Sequence, residues 1–440
     1  MRNMEKEIII FFIITYLCSI NAQNEPKSVK LEALTPQGLR VTIQDEGYSS
    51  CTFAGSLNRE TETKQWQLYV PRAKNGLWVF TDRNYELRIG DHITYSIAVA
   101  KHSSEFRING NWTVSEFVID NEVSTCNISE TNTLCSTQIC KGTLIFSEEF
   151  DEPLNLKWQI EHMFPQGPDY PFNAYSNDKV KVGSGVLVIS PSRTLPGYSK
   201  TWDMGYACTG EPGTNECKQR SVGPQILPPV VSGKVTTRKL FSFKYGRIDV
   251  RAKLPEGDWL IPEINLEPLY NEYGRQQYGS GLIRIAYVKG NQEFDHELYG
   301  GPIVCDKEPC RSSFLKKSPK ISSSWNKHFH VFSLIWKPDG FELLVDDKLY
   351  GEVKPPFEMS NIPHTEVWER GTAITPFDEL FYISLGVRVG GINDFADTPE
   401  KPWLNRSPKA MFKFWKDSYF WKKTWTSPEL IVDYVRVYSL

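Results

Sequence analysis

The chain has 440 residues, 40% of them hydrophobic and 23% charged, with a formal net charge of −3. That length exceeds one ordinary core and points to two domains of globular composition. So small a net charge excludes a long-range field that would draw nucleic acid or an anionic membrane to the whole molecule. Aromatic residues reach 13%, with 13 Trp and 20 Tyr. Such a supply suits a β-sheet core, and it also suits carbohydrate binding, because a ring face packs against the apolar face of a sugar.

The N-terminus carries Arg2 and Lys6, then the apolar run IIIFFIITYL from Ile8 to Leu17. A bilayer span takes about 20 residues, so this run is too short. Residues 1–22 read as a secretory signal cut after Ala22, with the bulky Ile20 just before the site. A secreted, extracellular protein is expected. No second long apolar run exists, so no membrane span is expected, and the end VDYVRVYSL is no lipid-anchor tail.

Residues 24–120 carry short strand-like runs: LRVTI, CTFAGSL, QWQLYV, LWVF, ITYSIAV and WTVSEFV, separated by turn signals such as Lys74-Asn75-Gly76. Strands at this spacing predict a small immunoglobulin-like β-sandwich. Residues 121–141 are polar, rich in Ser and Thr, and carry three cysteines, which reads as a Cys-bearing linker. From 142 to 440 strands dominate again, with long Pro- and Gly-rich stretches between them. Long loops on a large antiparallel sandwich build a cleft.

Cys18 leaves with the signal, and eight cysteines remain. An even count in a secreted chain fits disulfides. Short loops predict Cys208–Cys217 and Cys305–Cys310; Cys126, Cys135 and Cys140 share one segment, and Cys51 either pairs with one of them or stays free. Sequons at Asn111, Asn127 and Asn405 predict glycosylation, with Pro408 just beyond the last. No metal and no cofactor are expected. His328 and His330 share a strand face without a third ligand near in sequence, and FDHE, 294–297, is a weak calcium candidate.

Several C-terminal runs are highly particular: GTLIFSEEFDEPLNLKW, CTGEPGTNEC, FSFKYGRIDVRAKLPEGDWLIP, VFSLIWKPDGFELLVDD and IVDYVRVY. Together they resemble the laminarinase-like branch of glycoside hydrolase family sixteen, which implies a large concanavalin-type jelly-roll β-sandwich. In the N-terminal part, PQGLRVTIQDEG, KNGLWVFTDRNYELRIGD and NGNWTVSEF resemble the glucan-binding module of arthropod β-1,3-glucan recognition proteins, also called Gram-negative bacteria-binding proteins. Module, linker and laminarinase-like domain follow in that family's order.

Active laminarinase-like enzymes carry E-x-D-x-x-E on one strand, typically within SGEIDIMESRGN. Here the stretch is SGLIRIAYVKGN, from Ser280 to Asn291. Leu282 stands for the nucleophile, Arg284 for the middle aspartate and Tyr287 for the general acid/base. Retaining hydrolysis needs two carboxyl groups about 5–5.5 Å apart, one attacking and one passing the proton. Leu282 and Tyr287 do neither, so no catalytic residue is expected. On a strand, i and i+5 face opposite sides, so the pattern also requires a bulge. Arg284 is expected either to pair with an acid across the cleft or to meet solvent. In GDWLIPEINLEP, Ile261 and Asn265 replace cleft aromatics, while Glu263 and Glu267 are acids foreign to the pattern. Four strand residues set their backbones about 13 Å apart, beyond the retaining distance.

The resemblance places sugar contacts in the small module on Asp45, Glu46, Lys74, Trp78, Asp82 and Arg83. Acids and arginine suit hydroxyls, and Trp suits a ring face. Trp78 has a rival reading as core, and Asp82 with Arg83 as a turn pair. The expected protein binds β-1,3-glucan, with other microbial surface polysaccharides as further candidates, and passes the signal to immune serine proteases. Two rivals stand beside it: a glucanase using other acids, and an interaction protein without sugar binding.

Overall fold

The structure is a computed structural model describing residues 29–35, 37–58, 63–70, 72–83, 85–101, 104–119, 127–134, 139–194, 200–320, 323–357, 362 and 365–440. Residues 1–22, where a signal is expected, and Cys126 and Cys135 lie outside the described residues. The chain divides into two compact units, Met1–Thr125 and Cys126–Leu440. Both are built of strands, as the runs of β-branched and aromatic residues predict.

The first unit holds β1 Val29–Thr35, β2 Leu39–Gln44, β3 Ser50–Asn58, β4 Thr63–Val70, β5 Leu77–Asp82, β6 His92–Lys101, β7 Ser104–Thr113 and β8 Phe117–Ile119. They form two four-stranded sheets, ordered β5-β2-β1-β8 and β4-β3-β6-β7. Alternation puts Val41, Ile43, Phe53, Leu57, Trp78, Phe80, Ile93 and Ile97 inside. This is the immunoglobulin-like sandwich the spacing predicts.

The second unit packs an eight-stranded sheet against a nine-stranded one, the layering of a jelly roll. The Leu430–Tyr438 strand lies in the first sheet between Val186–Ile189 and Gly246–Lys253. In the second, Phe381–Val389 pairs along its whole length with Leu260–Pro268, which neighbours Leu282–Tyr287. Phe381–Val389 is buried at all nine positions. Much of the aromatic supply is spent here. Rings run Phe146–Phe241 at 4.6 Å, Phe243–Trp336 at 5.7 Å, Trp336–Phe381 at 5.3 Å and Phe341–Phe377 at 5.3 Å. A second cluster joins Trp259 to Trp403 at 4.9 Å and Phe414 to Trp421 at 4.6 Å. The tryptophan of the GDW motif is therefore core and not a cleft wall.

The segment read as a linker differs from that expectation in its described part. Asn132–Thr133 pairs with Phe243–Lys244, Thr131 is fully buried, and Leu440 N donates to Thr131 Oγ1 at 3.0 Å. These residues belong to the second unit because their backbone groups complete its sheet.

Cys208–Cys217 and Cys305–Cys310 are disulfides. Cys140 is also disulfide-bonded. Cys51 is free and buried on β3, and burial pushes its thiol well above the usual value. Asn111 and Asn127 are exposed. Asn405 is half-buried; its amide donates to Phe395 O at 2.8 Å and its oxygen accepts from Lys401 at 2.6 Å, so its side chain is turned inward.

Candidate functional site

The residues flanking the substituted strand keep scaffold roles that need their identities. Gly281 has φ +76, and a Cβ there would stand 2.4 Å from the Phe377 ring. At Gly290 a Cβ would meet Gly257 O at 2.5 Å. Ser280 Oγ accepts from Tyr273 N and donates to Gly274 O, both at 3.0 Å, and Asn291 Oδ1 accepts from Trp259 N at 2.9 Å. Only side chains adapted to the close approach and the loop hydrogen bonds fit these four places.

Between them, Arg284 and Tyr287 join a buried ion-pair network. Arg284 is 3% exposed and donates to Asp394 Oδ1 at 2.8 Å. Arg311 donates to the same oxygen at 3.0 Å and Arg388 to Asp394 Oδ2 at 2.7 Å. Asp169 accepts from Arg311 at 2.9 Å, from Tyr278 OH at 2.7 Å, and from Arg388. Three guanidiniums thus share two carboxylates away from water. Burial disfavours ionised Asp394, but Arg388 and Arg311 outweigh it and hold its carboxyl down to about 2. For Asp169 the same arginines prevail over burial and hold it well below the usual range.

The register of Leu282–Tyr287 against Tyr299–Ile303 shifts between Arg284 and Tyr287. That irregularity is the bulge the motif requires, and it brings Arg284 and Tyr287 to one side. The guanidinium stacks 3.8 Å over the Tyr287 ring, and Tyr287 OH donates to Asp394 at 3.3 Å. Burial and Asp394 push the phenol far above its ordinary value, so it keeps its proton at neutral pH. Leu282 is 7% exposed and lines the cleft. Of the two expectations for Arg284, pairing holds.

The cleft beside this network has a volume of about 560 Å³ and is lined by Glu161, Tyr175, Lys234, Glu263, Asn265, Glu267, Leu282, Tyr382 and Arg388, among others. Here the backbone arithmetic for Glu263 and Glu267 misleads. Their side chains lean together onto one ammonium: Lys234 Nζ lies 3.6 Å from Glu263 and 2.7 Å from Glu267. Lys234 comes from the Lys234–Thr236 strand, which lies across Phe381–Val389 from the strand of the two glutamates, and that sheet order is not visible in a linear reading. Each glutamate is further bound. Tyr175 OH donates to Glu263 at 2.5 Å; Tyr382 OH and Ser384 Oγ donate to Glu267 at 2.8 and 2.6 Å. Burial opposes ionisation of Glu267, but Lys234 and these hydroxyls outweigh it and lower its pKa. A general acid needs the opposite shift.

In the first unit the six candidate residues separate. Trp78 is 2% exposed, and its indole donates to Asp45 Oδ1 at 3.0 Å. Asp82 is 1% exposed; Trp66 Nε1 donates to it at 2.8 Å, and Lys64 stands 3.7 Å away. These two are core, because inward positions of β5 alternate with outward ones. Asp45 also accepts from the backbone of Gly47 and Tyr48 at 3.0 Å each, closing a turn. Burial works against its charge, but the Trp78 and backbone hydrogen bonds outweigh it and lower its pKa. Glu46 and Arg83 remain half-exposed and Lys74 exposed.

One surface was missed. On β4-β3-β6-β7 the outward positions fall into rows across the sheet: Gln67–Ala54–Ser96–Asn109 and Gln65–Ser56–Thr94–Asn111. All eight are uncharged and at least half-exposed. The signal was present in the period-two polar positions of ITYSIAV and QWQLYV. No group of His, Cys, Asp or Glu suited to a metal occurs among the described residues.

A small sandwich followed by a jelly roll whose cleft carries ion pairs defines a two-module, all-β protein. The family model CBM39, described as a carbohydrate binding domain (family 32), matches residues 24–135. β-1,3-glucan-binding protein 2 of Manduca sexta is 44% identical over 93% of this chain and 94% of its own. β-1,3-glucan-binding protein 1 of Galleria mellonella is 40% identical over 99% and 100%. Gram-negative bacteria-binding protein 3 of Drosophila melanogaster is 32% identical over 97% of each. The crystal structure of the laminarinase catalytic domain from Thermotoga maritima aligns with 68% of this chain and 99% of that one, at 22% identity and a TM-score of 0.46. The chain belongs to the family of insect β-1,3-glucan-binding and Gram-negative bacteria-binding proteins.

Proposed function

We propose that this is a secreted, non-catalytic pattern-recognition protein that binds β-1,3-glucan through its first unit and passes the signal to serine proteases. One observation carries the non-catalytic half: Leu282 and Tyr287 stand where two carboxyl groups are needed, and Arg284 between them is tied to Asp394. The binding half is supported by the CBM39 match and by the relatives' names. A polymer of hydroxyls is held best by fixed amides and hydroxyls with polar groups at a rim, since uncharged donors and acceptors cost least to desolvate. The row Gln67–Ala54–Ser96–Asn109, which is clear of the Asn111 sequon, meets that need, with Glu46, Lys74 and Arg83 as further contacts.

The glucanase alternative draws its support from the convergence of Glu263 and Glu267. Against it, both carboxylates are occupied by Lys234 and tyrosine hydroxyls, and Glu267 is held in its ionised form, the opposite of what a general acid needs. The test of binding is sedimentation of the full chain with insoluble curdlan. The wild type sediments; placing arginine at Ser96 and alanine at Lys74 lowers the bound fraction. A chain that stays in the supernatant contradicts the proposal.

A further inference from the structure

The segment Lys409–Thr424, KAMFKFWKDSYFWKKT, lies far from the motifs used so far. It folds as the helix Ala410–Lys416, a helical turn at Ser418–Trp421 and a last turn at Lys422–Thr424. One stripe, Ala410, Phe414, Ser418 and Trp421, is buried, with the Phe414 and Trp421 rings stacked 4.6 Å apart. The outward stripe runs Lys409, Lys413, Lys416, Phe420 and Lys423 at alternating steps of four and three. Phe420 is 66% exposed, Tyr419 beside it 68%, and Lys422 is exposed as well.

This face is unusual in two independent ways. Large exposed rings are costly on a free surface, and two adjacent ones mark an interaction site. The five lysines also have no acidic partner within ion-pair distance among the described residues, and Lys423 instead sits 3.6 Å over the Tyr419 ring. The segment's one acid, Asp417, is half-buried, and burial raises its pKa. Local charge is therefore strongly positive on a molecule whose net charge is −3.

We propose that this face docks on a lipid surface bearing phosphate headgroups. The lysines fit the phosphates, and Tyr419 and Phe420 fit the boundary between headgroups and acyl chains, where aromatic side chains concentrate. A neutral glucan would leave the five ammoniums unmatched, and a purely anionic soluble ligand would leave the two rings in water. The site is separate from the glucan surface and stands or falls without it.

The test is cosedimentation of the full chain with vesicles of phosphatidylglycerol and phosphatidylcholine, set against phosphatidylcholine alone. The expected result is binding to the anionic vesicles, lost at about 1 M salt, where screening acts within about 3 Å. Reversing Lys416 and Lys423 together to glutamate should weaken it by roughly 25-fold or more, since each basic residue near such a surface contributes about fivefold. Phe420→Ser should weaken it without changing its salt dependence, and curdlan sedimentation of these variants should match the wild type. Equal affinity for both vesicle types, no binding at low salt, or a double reversal without effect would overturn the proposal.

Discussion

Asp394 receives three guanidinium or phenol donors on one oxygen and a fourth group on the other, which makes it the most consequential single residue of the cleft. Asp394→Asn would leave three arginines facing one carboxylate in a dry site, a loss of about 3–5 kcal/mol. Arg284→Met should cost less, because two arginines remain for two carboxylates and the methionine fills the space. Urea unfolding of both variants checks that order, and a larger loss for Arg284→Met would contradict the network as described. The same pair sets the acid limit. Its folded-state pKa values lie below the unfolded value near about 4, so its stabilisation is complete above that pH and fades as pH falls toward about 2. Melting temperatures recorded from pH 5 downward should fall most steeply in that interval. Trp78→Ala belongs at this scale too. A ring 2% exposed is core, so its removal should cost about 3–5 kcal/mol and melt the first unit before any binding is measured. A folded variant, by circular dichroism, that has lost only glucan binding would restore Trp78 as a contact residue.

At the scale of elements, the substituted strand shows why scaffold and chemistry part company. Gly281 answers to a left-handed backbone and the Phe377 ring, and these demands persist whatever the strand does chemically. Gly281→Ala should therefore destabilise the chain by about 1–3 kcal/mol while leaving the Arg284–Asp394 contact in place, which a melting curve and a crystal structure would show together. The register shift between Arg284 and Tyr287 likewise sets the strand's geometry without any acid on it. Strand identity and the two disulfides were legible because turn signals, β-branched runs and short Cys spacings are local. The partners of Arg284, Glu263 and Glu267 were not. Asp394 is 110 residues from Arg284, and Lys234 meets both glutamates only through sheet order.

Across the whole molecule, aromatic content fits the core reading. Composition counts rings without placing them, and here chains of Phe and Trp fill the jelly roll while Tyr419 and Phe420 face outward. The fold class could be read from pattern. Trp78 and Asp82 fall on the inward phase of β5 and are buried, which for Trp78 is the core reading that stood beside its reading as a contact, while the outward polar positions of the other sheet line up into rows only once register is known. What unites the account is a cleft whose charges satisfy each other. Prolonged incubation of the full chain with laminarin, followed by assay of reducing ends, tests that most directly. The account predicts no release above buffer; release that disappears in Glu263→Gln would contradict it and make the cleft a working active site.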